Sequence, residues 1–103
     1  MEEIIPILVV GTNEPIMQTI ARLINKGGKW QATIAFSVDE ACDSCRQIKF
    51  GVALIGAGLS DEEEISLKAR LQILRPQLPI VKHYGGGSGL LFAEIYQGLA
   101  QYS

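Results

Sequence analysis

The sequence contains little that marks a secreted, membrane-spanning or nucleic-acid-binding protein. It has only two cysteines in 103 residues, whereas a small secreted domain usually carries several in a disulfide framework. No apolar run approaches the roughly 20 residues that span a bilayer. Lysine and arginine residues form no cluster and the formal net charge is -2 at pH 7, so neither nucleic acid nor an anionic membrane is an expected partner.

The chain also starts without the features of a secretory signal. Such a signal has a basic start and a longer apolar region, whereas Met1 to Ile4 include two glutamates and a short apolar run follows. Together with the low cysteine content, this start favours a cytoplasmic protein.

The composition predicts one folded domain. Hydrophobic residues make up 48% of the chain and charged residues 19%, which is too apolar for a disordered segment. A length of 103 residues suits one domain, and no stretch could hold a second core. We therefore expect residues 1–103 to form a single domain.

Apolar runs alternate with segments of helical periodicity along the whole chain. The predicted strands cover residues 4–10, 30–36, 52–55 and 79–84. The predicted helices cover about 16–26, 38–49, 61–75 and 90–102, and capping boxes are expected at Ser37 with Glu40 and at Ser60 with Glu63. In three of these helices, the apolar side chains expected to face the core recur at helical spacing. They are Ile16, Ile20, Leu23 and Ile24 in the first helix, Ile65, Leu67, Leu71 and Leu74 in the third, and Leu91, Ile95 and Leu99 in the last.

Strands that alternate with helices of this length imply right-handed crossovers and a parallel sheet covered on both faces. The result is a three-layer, doubly wound α/β domain. A ligand of such a sheet is expected at the carboxyl ends of its strands. Those ends are Gly11-Thr12, Gly56-Ala57 and Tyr84-Gly85.

Three apolar segments carry a resemblance to a known family: residues 7–10, residues 51–56 and residues 78–81. In their order and in the helix signals between them, they resemble the receiver domains of response regulators, the CheY-like family of two-component signal transduction. The resemblance covers roughly residues 4–84. It implies a flavodoxin-like sheet of about four strands in the order 2-1-3-4.

The residues that give that family its chemistry are missing here. By position, its acidic, magnesium-binding pair falls on Gly11 and Thr12, its phosphoacceptor aspartate on Gly56, and its Ser or Thr on Tyr84. Magnesium needs hard oxygen ligands, and phosphoryl transfer to a carboxylate needs that carboxylate. The chain is therefore interpreted as a pseudo-receiver that has no metal, no cofactor and no enzymatic activity.

The chain is also shorter than the family pattern. One helix follows the glycine-rich connection of residues 85–89, in place of a helix, a strand and a further helix. The fourth strand would then lie at an open edge of the sheet, which native proteins usually blunt or pair. The predicted interaction surface is this edge and its linker: Lys82, His83, Gly85, Gly86, Gly87.

Three short motifs have both a chemical and a structural interpretation. Cys42 and Cys45 have C-x-x-C spacing, but they lie inside a helix without a second ligand pair, so core packing is favoured over redox or zinc chemistry. The glycine-rich segment matches no phosphate-binding motif and is interpreted as a flexible connector. His83 has no evident catalytic partner and is interpreted as a partly exposed edge residue.

These patterns lead to one principal function hypothesis and two alternatives. The principal one is a non-phosphorylatable signalling domain that binds a protein partner or forms a homodimer. The first alternative is a module that binds an anion or nucleotide between Gly11, Gly56 and Gly85, where glycines would leave space. The second is thiol redox activity at Cys42 and Cys45.

Overall fold

The structure is a computed structural model that describes residues 4–83 and 88–102, without the side chains of residues 88, 101 and 102. Four strands alternate with four helices in this part of the chain. Their bounds are β1 Ile5–Val10, α1 Glu14–Lys26, β2 Trp30–Ala35, α2 Val38–Gln47, β3 Val52–Ile55, α3 Asp61–Leu74, β4 Ile80–Lys82 and α4 Ser88–Tyr102. The predicted sites at Tyr84, Gly85, Gly86 and Gly87 lie outside the described residues.

The strands form one parallel sheet in the order β2-β1-β3-β4, which confirms the predicted topology. β1 lies inside the sheet, and its last residue, Val10, is opposite Ala35 on β2 and Ile55 on β3. Among the described strands, β4 pairs only with β3. The carboxyl ends of β1 and β3 are therefore neighbours at the same end of the sheet.

The helices cover the sheet on both faces and so complete the predicted three layers. Side chains from α2 and α3 pack on one face, and side chains from α1 and α4 pack on the other. The residues of β1 and β3 alternate between the two cores: Leu8 and Ala53 face α2 and α3, whereas Ile7 and Val52 face α1 and α4. This alternation explains why both strands are continuous apolar runs.

Several element boundaries differ from the prediction by one or two residues, including the two that flank the glycine-rich connection. β4 ends at Lys82 and is therefore shorter than the predicted strand. α4 begins at Ser88, so Ser88 and Gly89 belong to the helix and not to the predicted connector.

The helix starts follow from capping side chains. Ser60 Oγ accepts from the backbone N–H of Glu63 at 3.1 Å, and Glu63 Oε1 accepts from the N–H of Ser60 at 3.0 Å, which confirms this capping box. Ser37 caps α2 in the same way, but Glu40 accepts instead from the N–H of Phe36 at 3.3 Å. The capping box predicted at Ser37 and Glu40 is therefore only half correct.

Two residues predicted to face the core are exposed. In α1 the buried stripe is Met17, Ile20, Ala21 and Ile24, and Ile16 lies at its solvent side. In α3 the buried residues are Leu67 and Leu71, whereas the side chain of Ile65 is 68% exposed. None of the helices in the described part of the chain combines the length and apolar character needed to span a bilayer.

Candidate functional site at the carboxyl end of the sheet

Gly11 and Gly56, the positions at which the resemblance predicted acidic residues, lie side by side. Gly11 follows β1 directly and Gly56 follows β3 directly, and these two strands are paired. The backbone N–H of Gly56 donates to the carbonyl of Val10 at 2.7 Å, and that of Gly11 donates to Ala35 at 3.0 Å. The sheet therefore brings both positions to one place, as the sequence predicted.

The space above the two glycines is filled by the side chain of Met17. A Cβ atom on Gly11 would lie 2.6 Å from Met17 Sδ, and a Cβ atom on Gly56 would lie 2.6 Å from the same sulfur and 2.8 Å from Met17 Cε. Met17 is fully buried and belongs to the core beneath α1 and α4. An apolar thioether thus occupies the centre of the candidate site.

The loops around the site are bound to each other. The backbone N–H groups of Thr12 and Asn13 both donate to the carbonyl of Ala57, at 3.0 and 3.2 Å. Gly58 has a φ of 103° and its Cα lies against the Thr12 side chain, where an added Cβ would clash with Oγ1. These amides therefore satisfy a protein carbonyl, and both glycine loops have a structural role.

The charge at this end of the sheet does not suit a cation. Glu14 follows the first loop, but it lies exposed in the first turn of α1, where a negative charge is favourable at a helix N-terminus. In the part of the chain that the structure describes, no three His, Cys, Asp or Glu side chains are close enough to hold a metal ion.

The two predicted edge residues at the end of β4 have partners on opposite faces of the sheet. Lys82 Nζ lies 3.1 Å from the carboxylate of Glu64 on α3. His83 Nδ1 lies 2.5 Å from Oε1 of Glu94 on α4, and the two side chains are only 10% and 9% exposed. His83 is thus intermediate in exposure, as expected for an edge residue, but it has a buried partner, Glu94, that the sequence did not reveal.

The C-x-x-C cysteines are packing residues, as predicted. Cys42 and Cys45 are free thiols in the core beneath α2 and α3. Burial is the main cause that raises the pKa of the Cys45 thiol; the neighbouring Cys42 raises it further, and Arg75 partly opposes the shift. A raised thiol pKa disfavours the thiolate that redox chemistry needs.

Sequence reasoning missed the two side chains that determine the local geometry, Met17 and Glu94. Met17 could have been found from its spacing to Ile20 and Ile24, which places it on the buried stripe of α1. Glu94 lies one residue before Ile95 and three after Leu91, both of which are buried. An acidic residue on the core side of a helix signals a buried partner.

Comparison with known proteins identifies the fold. No family model and no curated protein matches the sequence. Among solved structures, a sensor protein from Polaromonas sp. JS666 is similar with a TM-score of 0.83 and 14% identity over 96% of this chain and 98% of the other. A response regulator receiver domain from Clostridium thermocellum has a TM-score of 0.82 and 12% identity over 95% and 96% of the two chains.

A third similar structure is the beryllofluoride-activated receiver domain dimer of NtrC4, a protein from Aquifex aeolicus. Its TM-score is 0.82, with 13% identity over 95% of this chain and 98% of the other. At such low identity the likeness shows the fold alone. The chain thus has the fold of a response-regulator receiver domain, in agreement with the resemblance seen in the sequence.

Proposed function

We propose that this chain is a receiver-like signalling domain that works without phosphorylation, by binding protein through a helix face. The observation that carries the proposal is Met17, whose side chain fills the space between Gly11 and Gly56. A receiver needs a carboxylate nucleophile and oxygen ligands for magnesium at these positions. Two glycines packed on a thioether offer neither, so a non-enzymatic role without a cofactor is part of the same proposal.

The alternative of an anion or nucleotide site at the strand ends has less support. The space that the glycines were expected to leave is occupied by Met17. The backbone amides of Thr12 and Asn13, which could bind an anion, already donate to Ala57. A ligand would have to displace a buried side chain and break these hydrogen bonds.

The helix face that supports protein binding is the outer surface of α3. Ile65 and Ile73 are 68% and 80% exposed, and the exposed Ala69 lies midway between them at four-residue spacing. Residues at this spacing form one continuous ridge on a helix. Leu67 and Leu71 pack on the sheet at the opposite side of α3, so the exposed ridge is not needed for the domain's own core.

A second copy of this chain is the proposed occupant of the ridge. Ile65 and Ile73 are equally distant from Ala69, so a two-fold axis at Ala69 would place Ile65 of each copy against Ile73 of the other. An isologous contact requires such self-complementarity, and a small residue at the crossing point lets two helices approach closely. A contact built on three side chains is small beside the roughly 20–30 residues per partner of a standard interface, so we expect a weak dimer.

The edge of β4 remains a second part of the proposed interface. β4 pairs only with β3 among the described strands, and Lys82 and His83 lie at its end. The linker residues Gly85, Gly86 and Gly87 follow in the sequence and belong to the same prediction. Lys82 is paired with Glu64 on α3, so the edge and the helix face adjoin.

Sedimentation equilibrium over a wide concentration range tests this proposal. We expect a monomer–dimer equilibrium that acetyl phosphate and Mg²⁺ do not change. Ile73→Glu should shift the protein to monomer, because it places a charge in the apolar contact. Gln18→Glu, which adds the same charge at an exposed position of α1, should leave the equilibrium unchanged.

Two results would contradict the proposal at different points. A dimer that persists in Ile73→Glu would exclude the α3 ridge and leave the β4 edge as the contact. A monomer at every concentration, or a dimer that forms only with acetyl phosphate, would exclude a phosphorylation-independent homodimer.

A further inference from the structure

A groove of about 320 Å³ lies between α1 and α4, on the opposite face of the sheet from the α3 ridge. Its lining is mostly apolar: Ile16, Ile20 and Leu23 come from α1, and Leu91 comes from α4. Ile16 is 43% exposed at the rim, whereas Ile20 and Leu91 are buried beneath it. The polar ring in this lining is the imidazole of His83.

His83 is held in a fixed orientation by Glu94. The 2.5 Å contact joins Nδ1 of the ring to Oε1 of the carboxylate, and both side chains are about nine-tenths buried. A carboxylate can only accept, so Nδ1 carries the hydrogen of this bond. Nε2 is the nitrogen left for a molecule in the groove, where it accepts a hydrogen bond if the ring is neutral and donates one if the ring is protonated.

If the His83–Glu94 pair served only to stabilise the fold, its position in an otherwise apolar layer would be unfavourable. Hydrophobic side chains of similar volume often stabilise a core as well as or better than a buried ion pair. His83 lines the apolar groove, and Glu94 holds its ring in place there. This arrangement of a mostly apolar lining with a few fixed polar groups is typical of ligand pockets.

We propose that the groove binds a small, neutral, mostly apolar molecule whose one hydroxyl group forms a hydrogen bond with His83 Nε2. The molecule is small because about 320 Å³ is near the lower end of the volumes of ligand pockets. It is neutral because the Glu94 carboxylate beside the ring disfavours a second negative charge. A phenol meets these requirements, and the proposal is independent of the proposed dimer.

Amide chemical shifts of the ¹⁵N-labelled protein test the proposal with three probes: phenol, toluene and benzoate. Phenol should produce saturable shifts at groove residues such as Thr19, Leu23 and Leu91. It should bind about tenfold more tightly than toluene, because toluene leaves the ring nitrogen without a hydrogen-bond partner. Benzoate should bind no better than toluene, because it brings a negative charge next to Glu94.

Two exposed neighbours on α1 provide a matched pair of variants. Thr19 lines the groove, whereas Gln18 lines a different part of the surface together with Arg22 and Lys26. Thr19→Trp should fill the groove and abolish the phenol shifts, and Gln18→Trp should leave them unchanged. Both positions are exposed, so both variants should fold.

His83→Phe tests the hydrogen bond itself and should remove the preference for phenol over toluene. The proposal is overturned if phenol gives no saturable shift, if phenol and toluene bind the wild-type protein equally, or if Thr19→Trp binds phenol as the wild type does. If His83→Phe does not fold, the chemical shifts of the wild type and of Thr19→Trp still test the proposal.

Discussion

At the scale of single residues, the packing of Met17 on Gly11 and Gly56 determines the geometry of the carboxyl end of the sheet. The sulfur is equally close to the two positions where a Cβ would be added, but the surroundings differ. At Gly56 the other near atom is Met17 Cε, a flexible group, whereas at Gly11 the backbone oxygen and nitrogen of Ala57 would lie at 2.7 and 3.0 Å. Backbone cannot move aside as a side chain can.

This difference leads to a prediction about alanine substitutions. Gly56→Ala and Gly11→Ala should each destabilise the protein by about 1–3 kcal/mol, because overpacking strains a dense core. In a Met17→Ala background the penalty of Gly56→Ala should vanish, whereas that of Gly11→Ala should persist because Ala57 is still in the way. Urea denaturation of the single and double variants measures both effects.

Gly27→Ala is the matched control. Its φ of -78° suits alanine and an added Cβ would meet no atom within 4 Å, so it should stabilise by about 0.4–1 kcal/mol. Equal penalties for Gly56→Ala with and without Met17 would contradict the packing account.

A second residue-scale prediction concerns the pH dependence of stability. The pKa of the Cys45 thiol is raised mainly by burial, so the folded state disfavours the thiolate. The stability linked to this thiol is fully present below pH 9.0, its ordinary pKa, and is lost as the pH rises above that value. Wild type should therefore lose more unfolding free energy than Cys45→Ala between neutral pH and about pH 10.

Urea denaturation at a series of pH values gives this comparison. Other groups that titrate in the same range are common to both proteins and cancel in the difference. Parallel pH profiles for the two proteins would show that Cys45 is not the group responsible.

At the scale of secondary-structure elements, α3 begins with the only complete capping box among the described helices. Ser60 Oγ satisfies the N–H of Glu63, and the four acidic residues of the first turn are favourable at a helix N-terminus. Ser60→Ala should cost about 1 kcal/mol in urea denaturation, because that N–H loses its acceptor. Ser66→Ala, an exposed position in the same helix, should change stability by no more than about 0.5 kcal/mol. Similar effects of the two substitutions would argue against the cap.

Element positions could be predicted from the sequence because they depend on local signals. The apolar run before Gly11 and the capping residue Ser60 are contiguous patterns, and both led to correct elements. The phase of α3 could not be predicted, because apolar residues occur all round that helix and Ile65 is no more polar than Leu67. Partners such as Glu94 for His83 lie on different elements, and only the tertiary fold brings them together.

At the scale of the whole molecule, the fold is that of a receiver domain, and side-chain packing closes the carboxyl end of its sheet. The carboxyl end of the sheet is packed with Met17, and the loops around it are bound to each other. The two surfaces proposed for recognition lie on opposite helical faces: an apolar ridge on α3 and an apolar groove between α1 and α4. Binding on these faces does not require a phosphoryl group.

The most direct test of the closed strand ends is to add beryllofluoride and Mg²⁺ to the ¹⁵N-labelled protein and to follow the amides of Gly11, Gly56 and Ala57. Beryllofluoride mimics a phosphoryl group only where a carboxylate and a metal site can hold it. The packing of Met17 predicts that none of these amides shows a saturable shift. A saturable, magnesium-dependent shift at Gly56 and Ala57 would contradict the central claim that this end of the sheet holds no phosphoryl site.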